Sequence, residues 1–262
     1  MKPTHFYIIT LQYLGFRFHG WAKQPQVKTV HHMVDRTLKF VFEDQPFKTL
    51  GASRTDAMVS ATEFTMELFL EEAIQDDEAF LSLFNFNLPA DIKALSIEET
   101  NQEFNIIQNP KKKEYIYLFA YGQKAHPFSA PFITTIQESL DIELMRKGAA
   151  LFQGKHDFRA YCKKPKKETL TQRNIDRCEL LANEFYQASF FPSPSYAVQF
   201  SSQGFMRNQI RLIMGQLFRL GKNEITIDFI KRSLQKDFDE HLDAVAPASG
   251  LILNRVSFNK EY

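Results

Sequence analysis

At 262 residues the chain is long for one compact domain and comfortable for two, and 44% hydrophobic against 24% charged residues is a composition that buries a core. Lys plus Arg number 32 and Asp plus Glu 31, so the net charge of +1 excludes a globally basic nucleic-acid binder and leaves only a local basic face. Cys162 and Cys178 lack C-x-x-C spacing, the histidines form no zinc pattern, and neither a signal peptide nor a run of ~18 apolar residues is present, so a reduced, cytoplasmic protein with no metal and no membrane partner is expected.

HFYIITLQYLG has strand composition, and FRFHGWAKQPQ follows as a loop broken by Gly20 and Pro25. TVHHMVDRTLKFVFED sets Val30, Met33, Val34, Thr37, Leu38, Val41 and Phe42 at i, i+3, i+4 spacing, which predicts a helix with Thr29 as N-cap. PFKTLGAS and ATEFTMELFL read as two strands joined across an Arg-Thr-Asp loop. DDEAFLSLFNFNLP predicts a short helix capped by Asp76 or Asp77, and IKALSIEET a closing strand. The order β-α-β-β-α-β is the ferredoxin-like unit, here placed at residues 1–104.

The polar stretch from Asn101 to Lys113 is the best linker, so a second domain is placed at residues 105–262. EYIYLFAYG is a strand and IELMRKGAALFQG a helix. NIDRCELLANEFYQ and SYAVQFSSQGF read as strands, although the first also fits a helix. FMRNQIRLIMGQLFRLG and TIDFIKRSLQK are helical, and GLILNRVSF is a last strand. The 26 phenylalanines suffice for an aromatic core with some left for the surface.

Five stretches carry charge or aromatics where chemistry is conceivable. In SRTDAMVSA, Arg54 and Asp56 flank Thr55 just after an apolar strand; such a pair is either a salt bridge pinning a turn or part of a site. Arg207 and Arg211 stand four residues apart on an apolar helix, which places them on a solvated edge or against an anionic partner. Tyr115 and Tyr117, at strand spacing, share one face and read as core aromatics. The runs KKK at 111–113 and KKPKK at 163–167 are solvated loops or phosphate contacts, and Lys163, Lys164, Lys166 and Lys167 around Pro165 cannot pack.

Taken in order and spacing, YLGFRFHGWAKQP, SRTDAMVSA, KKEYIYLFAYG, FQGKHDF, FMRNQIRLIMGQL and APASGLILNRVSF resemble the tRNA pseudouridine synthase A (TruA) family along nearly the whole chain. The resemblance implies an α+β fold of two ferredoxin-like, RRM-like domains whose antiparallel sheets face a central RNA-binding cleft. It implies a homodimer that isomerises uridine in the anticodon stem-loop of tRNA, with no metal or organic cofactor. By position, Asp56 is the catalytic aspartate, Arg54 its neighbour in the motif, Tyr115 the active-site tyrosine and Arg211 the second cleft arginine, with Arg207 accessory. Arg17 and Lys23, beside the first loop, are further candidates for RNA contact.

The chain departs from the family pattern in four places. Ser53 and Met58 stand where glycines are expected, and Asn208 and Gln209 replace a His-Met pair. Where a family glycine supplies a positive φ, the loop is expected to differ locally. A catalytically silent or retargeted RNA-binding relative is the alternative function. A general RRM-like module is disfavoured because the aromatic RNP pattern is missing.

Overall fold

The computed structural model describes residues 2–43 and 45–258, without the side chain of Lys111. It is an α+β fold in which the strand pairing is mostly antiparallel. The chain divides into two units, residues 1–113 with 252–262, and residues 114–251.

The first unit opens with β1 (His5–Tyr13), where Tyr7, Ile9, Leu11 and Tyr13 alternate into the core as a half-buried strand requires. Helix α1 (Val30–Val41) follows the loop, and the Thr29 hydroxyl accepts the N–H of His32 as its N-cap. Val30, Val34, Thr37 and Leu38 form its buried stripe. Strands β2 (Phe47–Gly51) and β3 (Ser60–Leu70) pair antiparallel, Gly51 opposite Met66. Helix α2 (Asp77–Asn87) is capped by Asp76, which takes the N–H of Ala79, and it buries Phe80 and Phe84. Strand β4 (Ile92–Thr100) returns to lie antiparallel beside β1.

The resulting order, β4-β1-β3 with β2 on the side of β3 away from β1, is that of the ferredoxin-like unit. The segment after β4 is tied down: Phe104 and Ile106 are buried, and the Ile106 N–H points to the Glu67 carboxylate on β3.

Strand β5 (Pro110–Tyr121) carries the chain into the second unit, the division falling after Lys113. There the elements are β6 (Thr134–Ile136), parallel to β5; α3 (Ile142–Ala150); the hairpin partners β7 (Gly154–Asp157) and β8 (Gln172–Ile175); β9 (Arg177–Ala182); β10 (Tyr196–Ser202); α4 (Gln209–Gly221); and α5 (Ile227–Ser233). Strands β5, β10 and β9 lie side by side. NIDRCELLANEFYQ is thus β-structured, split at Asp176 between β8 and β9. Helix α4 is buried on almost every side, which explains its all-round apolar sequence. At Gly215 its backbone comes so close to the Ala244 carbonyl that a Cβ has no room.

The last strand, β11 (Leu251–Phe258), belongs to the first unit from Ile252 onward, pairing parallel with β3 at Ile252–Ser60 and Leu253–Ala61. The Arg255 guanidinium grips the Glu63 carboxylate, and Phe258 packs on Phe104 with ring centroids 5.3 Å apart.

Candidate active site

In the first unit the loop between β2 and β3 carries Arg54 and Asp56, with Thr55 buried between the exposed arginine and the half-buried aspartate. Its backbone is fixed by the loop that follows β1. Gly20, at φ +84°, brings that loop so close that a Cβ there would sit 2.5 Å from the Thr55 carbonyl oxygen, so no other residue fits. The Trp21 backbone N–H donates to the same carbonyl at 3.3 Å, the Met58 backbone N–H donates to the Phe18 carbonyl at 3.0 Å, and the Gly15 N–H reaches the Ser60 hydroxyl at 2.9 Å. From beneath, the hydroxyls of Tyr13 and Thr55 meet at 3.0 Å.

Trp21 is the floor of this arrangement. Its ring lies between Phe64 (centroids 4.0 Å apart) and His31 (5.0 Å), and Gly51 leaves room for the indole. His31 meets the Thr49 hydroxyl at 2.7 Å, and Thr49 donates to Asp35 at 2.6 Å. Burial lowers the His31 pKa, against the nearby charge of Asp35. The ammonium of Lys23 pairs with the same Asp35, and Arg17 forks onto Asp91 while lying 4.9 Å from the Phe18 ring centroid. Both candidate RNA-contacting cations therefore already hold a carboxylate. Lys113, at the end of the KKK run, donates to the Ala52 carbonyl at 2.8 Å, and burial lowers its pKa. It braces the approach to the Arg54 loop. Lys111 of that run lies, as a side chain, outside the described residues.

Met58 resolves one departure from the family pattern: it adopts φ +66°, so the left-handed conformation a glycine would supply is kept by a side chain that disfavours it. Ser53 is not among the positive-φ residues.

In the second unit Tyr115 is buried on β5, edge-on to Phe205 with ring centroids 5.4 Å apart. Tyr117 is fully buried; its hydroxyl donates to the Pro247 carbonyl at 2.7 Å and lies 3.0 Å from the Thr134 hydroxyl. Burial drives its pKa far up, against the Thr134 hydrogen bond and the nearby positive charge of Arg211. Arg211 on α4 donates from Nε to the Ala246 carbonyl at 2.8 Å, and the Ala246 N–H returns to the Arg211 carbonyl at 2.9 Å. The APASG segment thus binds Arg211 and Tyr117 at adjacent residues. Gly250 closes it, its carbonyl accepting the Leu118 N–H at 2.8 Å where a Cβ would strike the Leu118 oxygen.

Asn208, φ +58°, starts α4 in the left-handed conformation that asparagine tolerates well, and the Gln209 side chain takes the Met206 N–H at 2.8 Å. The exposed Arg207 accepts the Lys163 N–H on its carbonyl at 3.1 Å, which brings the accessory arginine to the start of the KKPKK loop. Lys163, Lys164, Lys166 and Lys167 are all exposed; Lys164 is at φ +54° and a turn closes between Lys166 and Thr169. Spacing alone did not single out Tyr13, Gly20 or Trp21, whose signal is a glycine and two aromatics bracketing an otherwise polar loop.

Among the described residues no helix is long and apolar enough to cross a membrane. A profile described as tRNA pseudouridine synthase matches residues 149–259. "tRNA pseudouridine synthase A" of Dictyoglomus thermophilum is 28% identical over 252 residues, covering 95% of this chain and 98% of that protein. "tRNA pseudouridine synthase A 2" of Clostridium perfringens is 26% identical over 255 residues (95% and 98%), and "tRNA pseudouridine synthase A 1" of Protochlamydia amoebophila 25% over 260 (98% of each). With a profile match across most of the second unit and relatives aligned from end to end, the chain is similar along its whole length to proteins named tRNA pseudouridine synthase A.

Proposed function

We propose that the protein isomerises uridine to pseudouridine in the anticodon stem-loop of tRNA, with Asp56 as the catalytic carboxylate. The observation that carries this reading is the clamping of the Arg54-Thr55-Asp56 backbone by Gly20, Trp21, Tyr13 and Met58, which presents the aspartate on a pre-set loop.

The reaction breaks the bond from N1 to the ribose C1′, turns the uracil, joins C5 to C1′, and moves a proton from C5 to N1. No atoms are gained or lost, so one carboxylate suffices where a glycosidase needs two and a water. Asp56 attacks C1′ or C6, or takes the 2′ proton to give a glycal; all three routes use the same residue. Tyr115 stacks on the base or assists removal of the C5 proton, and Arg211 is the second arginine of the set. The target is first flipped from its stem at roughly a few kcal/mol, offset by phosphate contacts from the basic residues. The same reading expects a cytoplasmic homodimer; the alternative is a catalytically silent or retargeted RNA-binding relative.

The test is incubation with undermodified tRNA, mapping pseudouridine by carbodiimide treatment and primer extension. Wild-type protein should yield a stop in the anticodon stem-loop, and Asp56→Asn should abolish it while RNA affinity stays nearly unchanged. Substantial turnover by folded Asp56→Asn would remove Asp56 from the chemistry.

A further inference from the structure

Three segments of the second unit meet beside the KKPKK loop. The Lys163 N–H is bonded to the Arg207 carbonyl, and the Ser202 hydroxyl donates to the Asn174 carbonyl at 2.6 Å. The Phe158 N–H is bonded to the Thr171 carbonyl at 2.9 Å. These bonds place Arg173, on the short strand β8, beside the turn that leads into α4. Arg173 and Arg207 both act electrostatically on the Cys162 thiol, whose pKa burial raises while a bond to the Arg207 backbone and these two cations oppose the shift.

Neither arginine is neutralised. Arg207 is exposed, whereas Arg173 is half-buried with its Nε wholly shielded from solvent and without a hydrogen-bond partner. Among the described residues no carboxylate pairs with either guanidinium, although Arg17, Arg146, Arg177, Arg219 and Arg255 each hold one. A guanidinium kept partly out of water without a counter-charge is a standing electrostatic cost, which an arriving anion removes. Guanidinium forks suit the non-bridging oxygens of a phosphodiester.

We infer that Arg173 is an RNA-binding residue, seating one backbone phosphate together with Arg207 next to the KKPKK loop. The inference rests on the proposed tRNA activity and extends it to a residue in a motif-poor stretch, TQRNI. Arg173 is a positioning residue: it holds the RNA and takes no part in the isomerisation, so its removal acts on KM and leaves kcat alone.

The experiment compares wild type, Arg173→Ala and Arg173→Lys on one unmodified tRNA transcript, measuring kcat, KM and the salt dependence of RNA affinity, with circular dichroism to verify folding. Arg173→Ala should raise KM about tenfold, the ratio one charge-assisted contact is worth. It should also flatten the slope of log affinity against log salt by about 0.7–0.9, with kcat within about twofold of wild type. Arg173→Lys should keep most of the slope while losing part of the affinity, because it retains charge without the fork. Unchanged KM and slope in folded Arg173→Ala would overturn the inference. So would stabilisation by millimolar inorganic phosphate that Arg173→Ala loses while its tRNA KM is unaltered, since the site would then belong to a free anion. If Arg173→Ala does not fold, Arg173→Lys and Arg173→Gln carry the same comparison. Should wild type bind tRNA with an Arg173-dependent slope yet form no pseudouridine, the proposed activity fails and the phosphate seat stands.

Discussion

The hydroxyls of Tyr13 and Thr55 lie 3.0 Å apart, joining the end of β1 to the middle residue of the Arg-Thr-Asp loop. Both residues are buried, so loss of the Tyr13 hydroxyl takes a buried hydrogen-bond partner from Thr55, at a cost of about 1–3 kcal/mol. Tyr13→Phe should lower thermal stability by that amount and reduce kcat through a loosened Asp56, with tRNA affinity unchanged. Thr55→Val added to Tyr13→Phe should cost less than the sum of the two single changes. Additive losses in stability and kcat would show that the contact does not position the loop.

Met58 concerns strain and substrate choice together. A methionine at φ +66° gives up about 1–2 kcal/mol of local energy, more than the ~0.5–1 kcal/mol of chain entropy a glycine costs. Met58→Gly should therefore raise stability by up to about 1 kcal/mol, whereas β-branched Met58→Val should lower it by more. Met58 is also exposed; if its side chain limits which RNA reaches the loop, Met58→Gly should widen the set of anticodon-stem uridines modified in a tRNA pool. Identical modification maps would leave strain as the only consequence of this residue.

Glu67 predicts a pH dependence of stability. Its carboxyl, 2% exposed on β3, is pushed by burial from 4.5 up to about 7, although the Ile106 N–H and Lys48 both favour the charged form. The folded protein thus holds a proton between those two values that the unfolded chain has released, so unfolding free energy falls as pH rises from 4.5 to 7, by up to about 1.4 kcal/mol per pH unit. Glu67→Gln, whose amide oxygen still accepts from Ile106, should be more stable than wild type above pH 7 and should remove this contribution. Parallel melting curves from pH 5 to 8 decide it, and equal slopes for the two proteins would place the titration elsewhere.

Much of the architecture was legible because local signals and packing agree. The α1 periodicity and its Thr29 cap coincide with the buried stripe Val30, Val34 and Leu38, and the β1 alternation maps onto alternate burial. What escaped was held by few residues or by distant ones. Strands β6 and β7 are too short to show a period, and β11 joins β3 through two parallel pairs with no sequence signature. The stretch from 101 to 113 reads as a linker from its polarity, yet Ile106 is buried and Lys113 braces the Ala52 carbonyl. The motif itself is visible at once, but its support is not. Gly20 matters only because it meets Thr55 across the fold, and Arg173 only because its buried Nε finds no partner.

The KKPKK loop offers the most direct test of how RNA is held. Lys163, Lys164, Lys166 and Lys167 are all exposed, and among the described residues none of the four holds a carboxylate, whereas Arg17 and Lys23 are each already paired with one. Unpaired exposed ammonium groups contribute to RNA binding by releasing counterions from phosphates, each contact adding about 0.7–0.9 to the slope of log affinity against log salt. Replacing all four with Ala should flatten that slope by the number of phosphates they touch, with stability within about 0.5 kcal/mol of wild type. Replacing Arg17 and Lys23 with Ala should change the slope less, because removing them also frees Asp91 and Asp35, and should destabilise the first unit's loop instead. A quadruple lysine variant with the wild-type slope would return the loop to ordinary solvated surface.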